Sequence, residues 1–166
     1  MENWSKKLDL RRIPTFYEST FVKSPVAFGY IKPIILFPLG MLTSMPVQHL
    51  DAMVTHELIH IKHSDYLINL FISIVEILLF FNPIVWWLSG VIRAEMEHRC
   101  DDRAVLVTGN KLNYAYALVA TSENQYFHDS QLALSMAKNR GHLTARINRL
   151  FDLKNNKSIA YGKPLI

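Results

Sequence analysis

The residues from Tyr66 to Ile92 form a long apolar segment in which Glu76 is the only side chain expected to carry a charge. Such a segment is typical of a transmembrane helix, because a bilayer core cannot solvate charges. However, Asn82-Pro83 interrupts it near its centre, and proline inside a helical pattern ends or kinks the helix. Each arm then spans about 24 Å or less, short of the ~30 Å hydrocarbon core. We therefore predict two helices, Tyr66 to Phe81 and Ile84 to Arg93, joined as a hairpin.

Upstream of this segment, His56-Glu57-Leu58-Ile59-His60 has the His-Glu-x-x-His pattern of zinc peptidases. Such short patterns also arise by chance, so their context decides. Apolar residues recur at helical spacing from Val47 to Ile61, which predicts that the motif lies on a helix. His56 and His60 would then face one metal ion from successive turns. Glu57 would reach the open coordination position, where a carboxylate can take a proton from metal-bound water.

A catalytic zinc has three protein ligands and one open position, so the two histidines need a further donor. The downstream candidates are Glu76, Glu95, Glu97, His98, Asp101, Asp102, His128 and His142. We favour Glu97, because Asp101 follows it one turn later on the same helical face. Asp101 could accept the other ring N–H of a histidine ligand and so fix the orientation of that ring. We interpret Glu95 and Asp102 as solvated charges, and Glu76 as a structural carboxylate.

Shared ligation by His60 and Glu97 would impose a geometric requirement on the apolar segment between them. Both ends of the segment must return to one place, which a single membrane crossing does not allow. The two predicted arms must therefore be antiparallel and turn at Asn82-Pro83. Their outer face would pack against lipid or against transmembrane helices that lie outside this sequence.

The segment from Ser24 to Pro38 contains two β-branched or aromatic runs around a glycine, and prolines flank the runs. This pattern predicts a β-hairpin or strand pair, with the prolines at strand ends or on an edge. The pair is either simply part of a small sheet, or its free edge near Phe28 to Leu36 binds an extended peptide.

Further polar and helical segments follow the motif. We interpret His63 as a solvated histidine or one that supports a ligand, and we expect Asp65 to cap the next helix. Leu112 to Thr121 is predicted to be a helix. Leu143 to Leu153 is predicted to be a short amphipathic helix with Arg146 and Arg149 on its outer side. The domain is expected to span residues 1–153, and residues 154–166 are expected to be a tail or linker.

Composition sets broad limits on location and partners. The chain of 166 residues is long enough for one domain with its own core. A single cysteine, Cys100, excludes an internal disulfide and fits a reducing, cytoplasm-facing location. The net charge of +4 comes without a dense run of basic residues. It favours contact with anionic lipid over direct binding of nucleic acid.

Taken together, the motifs resemble the membrane-bound zinc peptidases of the BlaR/MecR type, which are sensor-transducers of β-lactam resistance in bacteria. The sequence is more distantly similar to the HtpX-type membrane proteases. The resemblance covers most of the chain. It rests on Ser24-Pro25-x-x-x-Gly29-x-x-x-Pro33-x-Ile35-x-x-Pro38, His56-Glu57-x-x-His60 followed by Asp65 and Asn69, Asn82-Pro83, Glu97-x-x-Cys100-Asp101, and Tyr114-Ala115 with Leu118.

The resemblance implies an α+β, mainly helical, gluzincin-like peptidase domain with a small β-sheet. It implies a location in the bacterial inner membrane, with the active site facing the cytoplasm. It assigns His56, His60 and Glu97 as Zn²⁺ ligands, Glu57 as the general base, and Asp101 as the carboxylate that supports a ligand. Members of this family act on themselves and on a DNA-binding repressor. No transmembrane helices precede Met1 and no penicillin-binding sensor follows Ile166, so we expect a fragment or excised domain.

Two functions of different classes follow from these observations. The first is a membrane-associated zinc endopeptidase of a bacterial signalling system, whose protein substrate would be the chain itself or a winged-helix repressor. The second is a non-catalytic membrane adaptor that retains the fold. Glu57 favours the enzyme, because a purely structural site needs ligands but no base. Formation of a homodimer is left open by the sequence.

Overall fold

The computed structural model describes residues 8, 10, 13–128 and 133–151. Among the elements with described bounds, three short strands precede the helices. The strands are β1 (Thr15–Ser19), β2 (Val26–Phe28) and β3 (Ile34–Pro38); the helices are α1 (Met41–Ser44), α2 (Val47–His63), α3 (Asp65–Leu78), α4 (Pro83–Thr108), α5 (Lys111–His128) and α6 (Ala133–Phe151). The predicted mainly helical α+β class is confirmed.

The three strands form one mixed sheet in the order β1-β3-β2. β3 is parallel to β1 and antiparallel to β2, with Ala27 opposite Ile35. Ile35 and Phe37 are fully buried, because alternate residues of a strand point to the same face. The predicted strand pair is therefore β2 and β3. The expected edge from Phe28 to Leu36 is wrong for β3, which is paired on both sides. The edges of this sheet are β1 and β2, and of the predicted pair β2 is the edge strand.

Helix α2 is the central element of the fold, packed against both α4 and α5. Its residues from Ala52 to Ile59 are all buried. Leu58 and Ile59 belong to a core cluster that also contains Phe37 of the sheet and Leu150 of α6. The His-Glu-x-x-His motif thus lies on a helix that is held on several sides, so its side chains have little freedom to move.

The apolar segment folds back on itself at the predicted position. Asn82 caps α4 by accepting a hydrogen bond from the Ile84 backbone N–H at 2.9 Å, and Pro83 occupies the first helical position. Farther along, Arg93 of α4 donates to both carboxylate oxygens of Glu76 in α3, at 2.7 and 2.8 Å. These contacts join the two arms as an antiparallel hairpin and confirm the structural role of Glu76. Helix α3 ends at Leu78, three residues before the predicted end.

The outer face of the α3–α4 hairpin is apolar and exposed. Its exposed side chains include Phe71, Ile77, Phe80, Phe81, Trp86 and Trp87. Exposed apolar patches of this kind mark contacts with other proteins or with lipid. Within the part of the chain that is described, none of the helices combines the length and the apolar character needed to cross a membrane.

The last two helices are longer than predicted. Helix α5 continues to His128 instead of ending at Thr121, and α6 begins at Ala133 instead of Leu143. The residues added to both helices are largely polar, so they lack the apolar periodicity by which a helix is predicted. The predicted tail, residues 154–166, lies outside the described residues, and the domain boundary at 153 stays a prediction.

The cap at Asn82 gives a test of the hairpin turn. Asn82→Ala removes the acceptor for the Ile84 N–H and should lower the free energy of unfolding by about 1 kcal/mol. Asn82→Asp keeps an acceptor and should stay close to the wild type. Urea unfolding of the detergent-solubilised chain, followed by circular dichroism, compares the three. Equal stability of the alanine variant and the wild type would show that the turn does not depend on this cap.

Candidate metal centre

Three predicted ligands from two helices come together in one cluster. His56 and His60 lie one turn apart on α2, and Glu97 approaches them from α4. The two Nε2 atoms are 3.1 Å apart. The Glu97 carboxylate oxygens lie 3.5 Å from Nε2 of His56 and 3.6 Å from Nε2 of His60. The hairpin therefore returns Glu97 to the motif, as shared ligation requires.

These distances suit the donor atoms of a zinc ion. Zn–N and Zn–O bonds of about 2.0–2.2 Å in a tetrahedron place neighbouring donors roughly 3.3–3.6 Å apart. Each histidine also engages its Nδ1 atom elsewhere, which leaves the two Nε2 lone pairs facing each other. Lone pairs at this separation repel unless a cation or a shared proton lies between them. Two imidazoles and a carboxylate are also the donor set of many catalytic zinc sites.

Asp65 fixes the orientation of His60. Its Oδ2 atom accepts a hydrogen bond from Nδ1 of His60 at 2.7 Å, and Arg99 of α4 donates to Oδ1. The predicted helix-capping role of Asp65 is wrong: Ser64 occupies the N-cap of α3 without a side-chain hydrogen bond. Burial lowers the pKa of His60, but the hydrogen bonds to Asp65 and Cys100 and the nearby charges of Cys100 and Glu97 together outweigh it and raise the pKa to about 11. The surroundings thus favour positive charge at this ring.

Tyr114 of α5 fixes the orientation of His56. Its hydroxyl lies 2.8 Å from Nδ1 of His56 and donates to Oδ1 of Asp101 at 2.6 Å. Burial raises the pKa of Tyr114 well above its ordinary value, so the hydroxyl keeps its proton for Asp101. Nδ1 of His56 must then be the donor to the hydroxyl oxygen. Asp101, expected to accept from a histidine directly, lies 3.5 Å from Nδ1 and acts through Tyr114.

Arg146 of α6 points into the cluster. It donates from Nε to Oδ2 of Asp101 at 2.9 Å and lies 3.0 Å from Oε2 of Glu97 through Nη1. The prediction that Arg146 faces outward is therefore wrong. A charged residue on an amphipathic helix usually faces water, but Asp101 is fully buried and requires a cationic partner. Arg149, one turn later, pairs with Asp102 of α4.

A second group of potential ligands shares His60 but fits hydrogen bonding better than metal binding. Among the described residues, His60, Asp65 and Cys100 form the other close set of donor atoms. The His60 and Asp65 atoms are only 2.7 Å apart, shorter than a pair of zinc donors would be. Burial raises the pKa of the Cys100 thiol, which keeps it protonated. Metal binding requires the thiolate, so this group is less suited to zinc.

Glu57 lies with the cluster in a cleft of about 940 Å³. The cleft is lined by the edge strand β2, by α2, by the start of α3, and by His142, Leu143 and Arg146 of α6. Burial raises the pKa of the Glu57 carboxyl, while His56 and His60 and the backbone N–H of Ala27 oppose this rise and Glu97 adds to it. A buried carboxylate with a raised pKa is suited to accept and release protons near neutral pH.

The other ligand candidates lie elsewhere or have other partners. Glu95 lies 3.6 Å from His98, Asp102 is paired with Arg149, and His63 contacts the Ile59 carbonyl oxygen through Nδ1. His142 lines the cleft but does not belong to the cluster. The side chain of His128 lies outside the described residues. The residue patterns did not predict that Asp65, Tyr114 and Arg146 contact the metal-ligand cluster. Asp65 and Tyr114 do lie in the motifs on which the family resemblance rests.

The cluster predicts that His60 is required for zinc binding. The purified chain should hold about one zinc, and His60→Ala should lose it, because two donors remain from a set of three. His63→Ala is the matched control on the same helix, since His63 lies outside the cluster. Elemental analysis after dialysis measures the zinc content. Full zinc retention by the His60→Ala variant would contradict the assignment.

The contacts of Tyr114 predict a weaker effect on the same site. Tyr114→Phe removes the hydroxyl that joins His56 to Asp101 and should weaken zinc binding by roughly 10–100-fold. It should also cost about 1–3 kcal/mol of stability, because two buried polar groups lose a partner. Tyr116→Phe, an exposed position on the same helix, should change neither quantity. Chelator competition and urea unfolding measure the two effects; equal values for both variants would exclude this role of Tyr114.

Comparison with known proteins bears on this site. Residues 1–150 match the family described as BlaR1 peptidase M56. The chain is 33% identical over 148 residues to the regulatory protein BlaR1 of Bacillus licheniformis, covering 87% of this chain and 24% of that protein. It is 27% identical over 154 residues to the regulatory protein BlaR1 of Staphylococcus aureus, covering 91% and 25%.

A third relative is the methicillin resistance mecR1 protein of Staphylococcus aureus, 22% identical over 102 residues that cover 61% of this chain and 17% of that protein. The chain therefore spans about a quarter or less of the length of these relatives. The resemblance seen in the motifs is confirmed, because the family match covers nearly the whole chain. This chain belongs to the BlaR1 peptidase M56 family, the metallopeptidases of BlaR1/MecR1 antibiotic-resistance signalling.

Proposed function

We propose that this chain is the zinc-dependent endopeptidase domain of a bacterial β-lactam-sensing system, with a gluzincin-like active site. The observation that carries the proposal is the placement of His56, His60 and Glu97 around one point, with Glu57 in the same cleft. Three protein donors leave one position open, which distinguishes a catalytic zinc site from a structural one. The chain belongs to a family of metallopeptidases, which supports a catalytic zinc site.

Each residue of the cleft is proposed to have its own role: metal ligand, general base or support for a ligand. A zinc ion held by His56, His60 and Glu97 would act as a Lewis acid toward the scissile carbonyl and an attacking water. The Glu57 carboxylate takes a proton from that water and later gives it to the leaving amine. Asp65 and Tyr114 hold the Nδ1 atoms of the two histidines, so that their Nε2 atoms stay directed into the site.

The edge of β2 is the proposed binding surface for the substrate backbone. Val26, Ala27 and Phe28 line the cleft next to the motif helix, and β2 is an edge strand of the sheet. An extended peptide could pair with this edge by main-chain hydrogen bonds, which recognise any sequence in extended form. Such pairing would hold a scissile bond near Glu57 without specific side-chain contacts.

The exposed face of the α3–α4 hairpin supports a membrane-associated location. Aromatic rings such as Trp86 and Trp87 are enriched where proteins meet the lipid interface. We propose that this face contacts lipid or membrane helices of the longer protein, at the inner membrane. The active site would then face the cytoplasm, where an unpaired cysteine such as Cys100 stays reduced.

The proposed substrates are proteins, namely the chain itself and a winged-helix repressor, as the BlaR/MecR-type family implies. The cleft holds acidic residues and the metal ligands, and no direct role for nucleic acid is proposed. Association into a homodimer, through the apolar hairpin face, is compatible with this function. A non-catalytic adaptor would keep the fold and the metal without hydrolysis, and the following experiment separates the two.

Glu57→Gln separates metal binding from chemistry. The variant should retain zinc, because Glu57 is not a ligand, but should hydrolyse peptides about 10²–10⁴-fold more slowly or worse, because the amide accepts no proton. Glu95→Gln, an exposed carboxylate outside the cluster, is the matched control. The assay uses an internally quenched peptide library with the detergent-solubilised chain. A wild-type chain that binds zinc but cleaves nothing would favour the adaptor; a Glu57→Gln variant with wild-type rates would exclude the proposed mechanism.

A further inference from the structure

Arg146 contacts two carboxylates of the candidate metal centre, Glu97 and Asp101, from helix α6, which contributes no ligand. We propose that Arg146 is a positioning residue, which holds Glu97 and Asp101 in place and couples the seating of α6 to the affinity of the site for zinc. This inference rests on the proposed metal site. It gives helix α6 a role in zinc binding, although none of the proposed ligands lies on that helix.

One guanidinium group spans the two carboxylates of α4. Nη1 lies 3.0 Å from Oε2 of Glu97, and Nε donates to Oδ2 of Asp101 at 2.9 Å. Glu97 and Asp101 lie one helical turn apart, so a planar group with several donors can reach both. Glu97 is the proposed third ligand, and Asp101 supports His56 through Tyr114. Arg146 therefore contacts both the proposed ligand Glu97 and the carboxylate that supports the ligand His56.

At Glu97, the arginine restrains a side chain that would otherwise be free to move. The Glu97 side chain is 39% exposed, and an exposed carboxylate can turn toward water. Its Oε2 atom lies 3.0 Å from Nη1 of Arg146 and 3.5 Å from Nε2 of His56, while its Oε1 atom lies 3.6 Å from Nε2 of His60. The contact with Arg146 thus restrains the carboxylate while both of its oxygens stay close to the histidines. Restraining a ligand before the metal arrives lowers the entropy lost on binding.

At Asp101, the arginine provides the charge that a buried carboxylate needs. Asp101 is fully buried, and Arg146 is the cation bonded to it among the described residues. Without that partner, the carboxylate would have to reorient, because an unpaired buried charge is strongly unfavourable. Such a movement would release the Tyr114 hydroxyl, and the ring of His56 would lose its support.

Arg149 provides a matched control for this proposal. It lies one turn after Arg146 on α6 and pairs with Asp102 of α4, which is the neighbour of Asp101. Both arginines therefore join the same two helices through a carboxylate. Arg149 does not contact the cluster, however, and Leu150 anchors α6 in the core in either variant. An effect of Arg146 beyond that of Arg149 reports on the metal site and not on the docking of α6 alone.

The experiment compares Arg146→Lys with Arg149→Lys in the full chain in detergent. Lysine keeps the charge but replaces the planar fork by a single ammonium group, which matches two carboxylates poorly. The zinc dissociation constant is measured by chelator competition, and the visible absorption of the cobalt(II)-loaded chain reports ligand geometry. We expect roughly 10–100-fold weaker zinc binding and an altered cobalt spectrum for Arg146→Lys. We expect changes within about twofold for Arg149→Lys, as for a surface pair.

The outcomes separate this inference from the function on which it rests. Equal zinc affinity and equal spectra for the two variants would overturn the role of Arg146, while zinc loss in His60→Ala would still support the metal site. Equal losses in both variants would also overturn it, because docking of α6 would then explain them. A wild-type chain that binds no zinc would overturn both. If Arg146→Lys is not helical by circular dichroism, Arg146→Gln is compared with Arg149→Gln instead; both remove the charge, and the larger loss of zinc affinity is expected for Arg146→Gln.

Discussion

The charge of four carboxylates is the constraint on which the rest of the site depends. Glu57, Asp65, Glu97 and Asp101 lie in or around one cleft, and burying ionised groups without partners is strongly unfavourable. Arg99 pairs with Asp65, and Arg146 bridges Glu97 and Asp101. Helices α4 and α6 therefore supply the cations for a site whose motif residues lie on α2. When all four carboxylates are ionised and both histidines are neutral, as metal ligation requires, two negative charges remain, which one divalent cation would neutralise.

The fold follows from the need to gather these groups from distant parts of the chain. The turn at Asn82-Pro83 returns α4 toward α2, and Arg93 and Glu76 hold the two arms together. The apolar residues of the hairpin then face outward, where a membrane or membrane helices would cover them. A segment with the hydropathy of a transmembrane helix thus serves to connect two parts of one cleft.

The sequence predicted the elements whose signals are local. The His-Glu-x-x-His spacing placed two imidazoles on one helix face, and Asn82-Pro83 located the turn, because proline acts on its immediate neighbours. The favoured third donor, Glu97, meets His56 and His60 in the structure. Arg146 could not be oriented from the sequence, because its partners lie 45 and 49 residues away. The same holds for the contact of Tyr114 with His56, at a separation of 58 residues.

The direct measurement of the central claim is the X-ray absorption spectrum of the zinc-loaded chain at the zinc edge. Two sets of donors compete for the metal, one with His56, His60 and Glu97 and the other with Cys100, His60 and Asp65. The first predicts only nitrogen and oxygen neighbours at about 2.0–2.2 Å, including the outer-shell scattering of two imidazole rings. A sulfur neighbour at about 2.3 Å would contradict this account and place the metal beside Cys100.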